Sequence, residues 1–471
     1  MILFFKKSKP FSLKSVSFAA KFRLNTDLQL STIMSNITFS SAAESHIFKQ
    51  KALAWGEANF DTLCYLESNH NTHNIDNQCF IAIGVTAECC VSVEGDAFEQ
   101  LKNFCAQYKD WLFGHLTYDL KNEVETKLKS ENPDQICFPA LYFFKPKILI
   151  KSINELDFEF ILNDNDIAQD LITEIRNTEI TPHKQVKKDL KIQAQMSRAQ
   201  YLEKVAHVRN HIQKGDIYEM NLCQAFFVEH VELNPLAVFE ALNALAKTPF
   251  TAFYKIKNKY ALCASPERFL KKEAQKLIAQ PIKGTIRRGK NAAEDLQLSN
   301  ELYNSAKDRS ENVMIVDLMR NDLGRICQTG SVTVKELFGI YPYSNVFQMI
   351  STIEGNLKPN IHFIEALRQC YPMGSMTGAP KIRAMELIEQ YEETKRGLYS
   401  GSIGYITPEG DFDFNVIIRS VLYNADNQYL SFQVGGAIVY DSVPEAEYEE
   451  CLLKANLIFK ILEQELGAVR N

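Results

Sequence analysis

The chain has 471 residues, 46% hydrophobic and 23% charged, with a formal net charge of −6. This is ordinary globular composition, too long for a single ordinary core, so two domains or one two-part domain are expected. The acidic balance gives no electrostatic reason to expect nucleic acid as a partner. No apolar run reaches the ~18 residues that a membrane-spanning helix needs, so no membrane association is expected.

Along the chain, the first 26 residues carry Lys6, Lys7, Lys9, Lys14, Lys21 and Arg23 and no acid. Two readings fit: an organellar transit peptide, or an upstream extension of a chain that starts at Met34. The expected organisation is an extension over 1–33, an N-terminal region over 34–190 and a third region over 195–467. The 11 cysteines are scattered without a CxxC pair, mostly in apolar runs. Reduced, buried thiols in a cytoplasmic protein are expected rather than a disulfide scaffold.

Residues 47–150 mix strand-like runs (CFIAIGV, CCVSV, ALYFF, KILI) with a helix predicted over Ala97 to Asp110, and LDFEFIL adds an alternating strand. The polar stretch 163–195, with a helical segment over Ala168 to Asn177, reads as a connection. Ser197 with Gln200 then makes a capping-box signature, and Gly215 ends the helix that follows. In IYEMNLCQAFF, period-two geometry puts Glu219, Asn221 and Cys223 on one face and Met220 and Leu222 on the other. If the second set is core, Glu219 and Asn221 point towards a pocket.

Phe250 to Pro266 reads as a strand pair ending at SPERF. Lys283 sits in what reads as a Gly-bounded turn, PIKGT. The helix NSAKDRSENVMIVDLMRNDLGR follows. GSMTGAP is a Gly-rich turn entering a helix, with Pro380 in a first-turn position. Ser400 to Thr407 and Phe412 to Asn424 read as a hairpin, and SFQVGGAIVY as a strand whose Gly435 and Gly436 allow close approach. Ser442 and Glu445 are expected to cap the C-terminal helix.

Two helices each carry acids at i, i+3: Asp308 with Glu311, and Glu447 with Glu450. At that spacing each pair shares a helix face. Such oxygen donors suit a hard cation such as Mg²⁺, and they also suit a solvated helix face. Lys283 reads either as a surface lysine or as a nucleophile with a tuned pKa. Glu267 is one glutamate among many, or a general acid. Arg419, inside an apolar strand, needs an anion, either a substrate carboxylate or an internal acid.

Taken together, GDIYEMNLCQ, ASPERF, PIKGT, NSAKDRSENVMIVDLMRNDLGR, GSMTGAPKIRAMELI, GSIGY, IIRS, VGGAIV and SVPEAEYEECLLKA resemble the chorismate-utilising enzymes. That family includes anthranilate synthase component I, aminodeoxychorismate synthase component I, isochorismate synthase and salicylate synthase. The match is dense over Ser197 to Glu465 and looser before it, where CYLES and GHLTYDLKNEVE are the landmarks. CYLES partly resembles the tryptophan-inhibition element of anthranilate synthases.

The resemblance implies an α+β fold: a two-part α/β sandwich of mostly antiparallel sheets with outer helices and the active site in the cleft. It implies Mg²⁺ on Glu311 and Glu450, with Asp308 and Glu447 in or beside the first shell. Thr285, Thr377, Gly378, Tyr405, Arg419, Gly435, Gly436, Ala437 and Lys454 would contact chorismate, and Glu267 would protonate the departing C4 hydroxyl. The lysine of PIKGT resembles that of the aminodeoxychorismate synthases, where it attacks C2 before ammonia displaces it at C4; anthranilate synthases carry alanine there. Ammonia or glutamine is expected through a separate glutamine amidotransferase subunit. Glu219 departs from the family, which places lysine or glutamine there, and is expected to face Lys283 and either take its proton or pair with it until chorismate binds. Gln348 stands where relatives have histidine. The rivals are an anthranilate synthase component, an isochorismate synthase and a non-catalytic binding subunit.

Overall fold

The computed structural model describes residues 33–69, 78–93, 95–162, 167–180, 190–467 and 469–470. The extension over 1–32 and the basic stretch 181–189 lie outside the described residues.

Two mostly antiparallel sheets share the strand Leu141–Ser152. One runs through Ile33–Thr38, Asp157–Leu162, Leu141–Ser152, Cys79–Val91, Thr62–Glu67, Phe250–Ile256, Lys259–Ser265, Ser420–Asn424, Tyr429–Ile438 and Glu219–Val228. The other leaves the same strand through Leu112–Leu116, Ser402–Ile406, Phe412–Asn415, Arg268–Glu273, Lys276–Gln280 and Val346–Asn356. Strands Ile282–Arg287 and Thr333–Pro342 flank its far end. Pairing therefore crosses the expected boundary near residue 190 twice: Thr62–Glu67 lies on Phe250–Ile256, and Leu112–Leu116 on Ser402–Ile406.

Alternation divides the strands between two cores. Leu63, Ile81, Ile83, Met220, Leu222 and Leu262 pack with the outer helices Arg198–Gln213, Pro235–Ala246 and Pro444–Leu466. Cys64, Ala82, Cys223 and Ala261, from the opposite faces, join Phe113, Phe143, Phe269 and Phe414 in the second core. The predicted helix near Ala97 spans Ala97–Tyr108, and the Ser197–Gln200 capping box is present.

Four local expectations need correction. PIKGT is not a turn but a bulged strand, with the register shifting between Ile282 and Thr285 and Gly284 at φ +90°. The expected strand Phe412 to Asn424 breaks at 416–419, where Arg419 takes a left-handed φ of +51°. Pro380 is the cap before helix Lys381–Tyr391 rather than its first residue. Ser442 does not cap the last helix; Val443 holds that position, with Pro444 behind it, and the Ser442 hydroxyl instead bonds Glu447 Oε1 at 2.7 Å.

Candidate active site

Strand Glu219–Val228 is central to the site. Met220 and Leu222 are fully buried in the helix-covered core, so the strand's opposite face carries Glu219, Asn221 and Cys223. Two segments hold it. Gly378–Ala379 pairs with Met220 and Glu219, and Gly435, Gly436 and Ala437 lie opposite Cys223, Leu222 and Asn221. Gly378 is required by contact: with φ +156°, a Cβ there would sit 2.2 Å from Glu219 O.

The bulge in Ile282–Arg287 turns Lys283 inward. Its Nζ donates to Glu219 Oε1 at 2.8 Å, with side chains 11% and 0% exposed. Burial favours the neutral amine, but Glu219, then Glu311 and Glu267, outweigh it, and the Lys283 pKa lies above the usual lysine value. Glu219 Oε2 is buried and has no hydrogen-bond partner among the described residues.

Glu267 follows Ser265, whose hydroxyl accepts from its N–H at 3.1 Å. Burial pushes its carboxyl up to about 7, against a hydrogen bond from Ser375 and the charges of Lys283 and Arg419. The guanidinium of Arg419 has no hydrogen bond or ion pair to an acid among the described residues. Burial lowers its pKa, and Glu267 is the acid that opposes this.

Helix Ala306–Ile326 begins at Ser305, which caps the Asp308 N–H. Asp308 lies against Gly284, where a Cβ would come within 3.0 Å of its own Cβ. Burial, with Glu219 and Asp308 beside it, raises Glu311 to about 7 against Lys283 and Lys307. The second acid pair stands under the Gly-Gly strand: a Cβ on Gly436 would lie 3.3 Å from Glu447 Oε2, 3.9 Å from Glu450 Oε1 and 4.0 Å from Lys454 Nζ. Burial raises Glu447; it also pushes Glu450 up, but Lys454 at 2.9 Å outweighs it and holds Glu450 below the usual carboxylate value. Lys307 feels both pairs, 3.9 Å from Glu311 and acting on Glu447 and Glu450.

As arranged, no three His, Cys, Asp or Glu side chains among the described residues converge closely enough to hold a metal ion. The chemistry of the donors still fits a hard cation: four carboxylates and no sulfur, with the charges of Lys283, Lys307 and Lys454 acting on them.

Other predicted residues fall differently. Thr377 is fully buried and its hydroxyl bonds back to Gly374 O at 3.2 Å, so its backbone and that of Gly378 face the site strand. Thr285 is exposed, opposite Gln348. Tyr405 is a correction: its hydroxyl bonds Gln78 Oε1 at 2.9 Å and its ring packs on Phe80 and Trp111. It lines a separate cavity of about 50 Å³ with Leu66, Glu67 and Ser68 of CYLES, because its strand pairs with Leu112–Leu116 rather than with the site strand. A larger cavity, about 220 Å³, holds none of the predicted residues.

Sequence reasoning missed Arg396 and Glu392, a buried pair at i, i+4 and 2.7 Å apart. Arg396 donates to Asn221 O and Met376 O, and Glu392 accepts from the Cys223 N–H at 2.9 Å. They clamp the site strand to the loop of Thr377. The i, i+4 spacing in EETKR was the available signal.

The family profile described as chorismate binding enzyme matches residues 49–460. Aminodeoxychorismate synthase component 1 of Escherichia coli (strain K12) is 42% identical over 272 residues, 58% of this chain and 59% of that protein. The matched part thus spans about three fifths of that relative. Anthranilate synthase component 1 of Thermus thermophilus is 33% identical over 358 residues, covering 74% of this chain and 77% of that one. The crystal structure of anthranilate synthase component I from Streptococcus pneumoniae TIGR4 superposes with a TM-score of 0.70 at 25% identity, over 82% of this chain and 94% of that chain.

Proposed function

The chain belongs to the chorismate binding enzyme family, and we propose that within it the chain is the synthase component that aminates chorismate at C4 to 4-amino-4-deoxychorismate, the precursor of 4-aminobenzoate and folate. The observation that carries this is Lys283, a buried amine in PIKGT held 2.8 Å from Glu219 and flanked by Glu267. Lysine at this place resembles the aminodeoxychorismate synthases, and the E. coli relative bears that name.

The residues divide the work as follows. Lys283 becomes a nucleophile once Glu219 Oε1 takes its proton, and it adds at C2 of chorismate. Glu267, poised near pH 7, donates a proton to the departing C4 hydroxyl. Ammonia then bonds to C4 and Lys283 leaves from C2. Arg419 and the N–H groups around Gly435–Ala437 and Gly378 bind the carboxylates, with Lys454 at the rim. Glu311 and Glu450, with Asp308 and Glu447 beside them, would hold Mg²⁺, which supplies polarisation of the ring carboxylate when bound. Ammonia comes from a separate glutamine amidotransferase subunit, in keeping with the "component 1" in the relatives' names. The setting is cytoplasmic; among the described residues no helix is long and apolar enough to cross a membrane.

The Thermus match keeps anthranilate formation as the rival. One assay separates them: the purified chain with chorismate, Mg²⁺ and an ammonium salt, products followed by mass spectrometry with and without an aminodeoxychorismate lyase. Aminodeoxychorismate, turned to 4-aminobenzoate only when lyase is present, is expected. Anthranilate as the direct product overturns the proposal.

A further inference from the structure

We propose that Glu219 Oε2 is an ammonium-binding subsite, placed so that one carboxylate serves both amines of the reaction. This rests on the C4-amination reading above.

Glu219 is fully buried, yet only half of it is satisfied. Oε1 accepts from Lys283 Nζ at 2.8 Å, and Oε2 has no donor among the described residues. A buried carboxylate oxygen without a donor is costly, and the group that relieves it must carry N–H or O–H. The backbone leaves little choice of direction. Gly378 and Ala379 close one edge of the strand and Gly436 and Ala437 the other. The core occupies the face of Met220 and Leu222. What is left is the side from which Lys283 reaches Oε1.

The chemistry of the free oxygen selects the ligand. Glu219, Glu267 and Glu311 all act on Lys283, and Arg419 also acts on Glu267 and Lys307 on Glu311, so Oε2 of Glu219 is a carboxylate oxygen that only an N–H or O–H donor can relieve. A small cation with several N–H donors fits such a place better than a second anion. Ammonium is the cation that the reaction consumes. Another buried acceptor, Gln348 Oε1, also lacks a donor and lies on the strand paired with the Lys283 segment. In the aminating relatives the resemblance places glutamine at 219, and a neutral amide holds a cation less well than a carboxylate. A carboxylate at 219 thus gives this chain a firmer hold on ammonium, whether the partner subunit or the solution supplies it.

The step balances. Before ammonium binds, Glu219 returns to the carboxylate by passing the protons released by Lys283 to Glu267, which has just protonated the leaving hydroxyl, and to solvent. Ammonium at Oε2 then gives one proton to Glu219, and the resulting ammonia bonds to C4 of the lysine adduct. The C2–N bond breaks with its electron pair going to Lys283 nitrogen, which receives the proton through Oε1. Ammonium plus the secondary-amine adduct become a free lysine amine plus a C4 ammonium group, with five N–H hydrogens and one positive charge on each side.

The test uses the full chain and has a binding arm and a kinetic arm. In the binding arm, crystals soaked in a thallous salt, a heavy stand-in for ammonium, are expected to show an anomalous peak in contact with Glu219 Oε2. Glu219→Gln should lose that peak, and ammonium should compete it away where sodium does not. In the kinetic arm, Glu219→Gln should raise the KM for ammonium about tenfold or more, the worth of a charge-assisted hydrogen bond, with the KM for chorismate changed less than about twofold. Glu219→Asp, which keeps the charge and shortens its reach, should fall between the two. Thallium bound only among Glu311, Glu447 and Glu450, or an unchanged ammonium KM, overturns the subsite. Should the chain form no aminated product, C4 amination fails as the reading, while the thallium arm still decides the subsite.

Discussion

Replacing Lys283 by alanine tests the centre of the site through stability as well as through chemistry. The variant leaves the Glu219 carboxylate fully buried, with Oε1 stripped of its 2.8 Å donor and Oε2 still without one. Breaking a buried pair by removing one partner costs about 3–5 kcal/mol. Neutralising the stranded acid as well, in Lys283→Ala/Glu219→Gln, leaves only an amide to satisfy, at about 1–3 kcal/mol. The double variant should therefore be more stable than the single one by roughly 2 kcal/mol. Urea unfolding followed by the fluorescence of Trp55 and Trp111 reads both values. The same single variant, given chorismate, Mg²⁺ and ammonium, should form no covalent adduct and should divert to amination at C2. If Lys283→Ala lies within about 1 kcal/mol of the parent, or if the double variant is no more stable than the single, the pair is not a buried one. If product and rate are unchanged, Lys283 is not the nucleophile.

Three further outcomes are expected. Glu267 must be protonated to donate, and burial sets its pKa at about 7, so kcat should fall as the pH rises through 7. Glu267→Gln should lower kcat about 10²–10⁴-fold and abolish that limb, and an unaltered pH profile would remove Glu267 from the role. Chelation of divalent ions should stop turnover and Mg²⁺ should restore it; Glu311→Gln and Glu450→Gln should each raise the Mg²⁺ concentration needed, as followed by Mg²⁺-dependent thermal shift, and a shift equal to that of the parent would exclude them as ligands. Gly284→Ala puts a Cβ 3.0 Å from that of Asp308 at φ +90°, so it should destabilise by about 1 kcal/mol or more and shift the Mg²⁺ titration; a neutral effect would mean that helix Ala306–Ile326 can move away.

The resemblance in nine ordered motifs carried the family and the sandwich fold, and strand period alone carried the orientation of Glu219. Met220 and Leu222 are core because they are apolar, and their neighbours must face the other way. The capping box at Ser197 was legible for the same reason: its partners lie three residues apart. Motif matching went astray at Tyr405, since a tyrosine in a glycine-rich strand reads alike whichever strand it is paired with. Only the pairing of Ser402–Ile406 with Leu112–Leu116 carries it to the CYLES cavity, where Glu67 is already taken by Lys49 and the Tyr65 hydroxyl.

Ser442 shows the same limit at shorter range: its place before a helix predicted a cap, but Val443 took the cap and freed the hydroxyl to orient Glu447. Arg419 announced its need for an anion, yet not the left-handed backbone that breaks its strand. By itself, then, the sequence determined what depends on neighbours within a turn or a pleat: helix starts, which face of a strand is apolar, and which acids share a helix face. Tertiary structure alone decided which of those faces meet. Lys283 and Glu219 are 64 residues apart in the chain, and their 2.8 Å contact exists because a bulge at Gly284 and two separate strand pairings bring them together. Local pattern holds no record of such long-range closure, because its cost and its reward lie in contacts that form only when the sheets assemble.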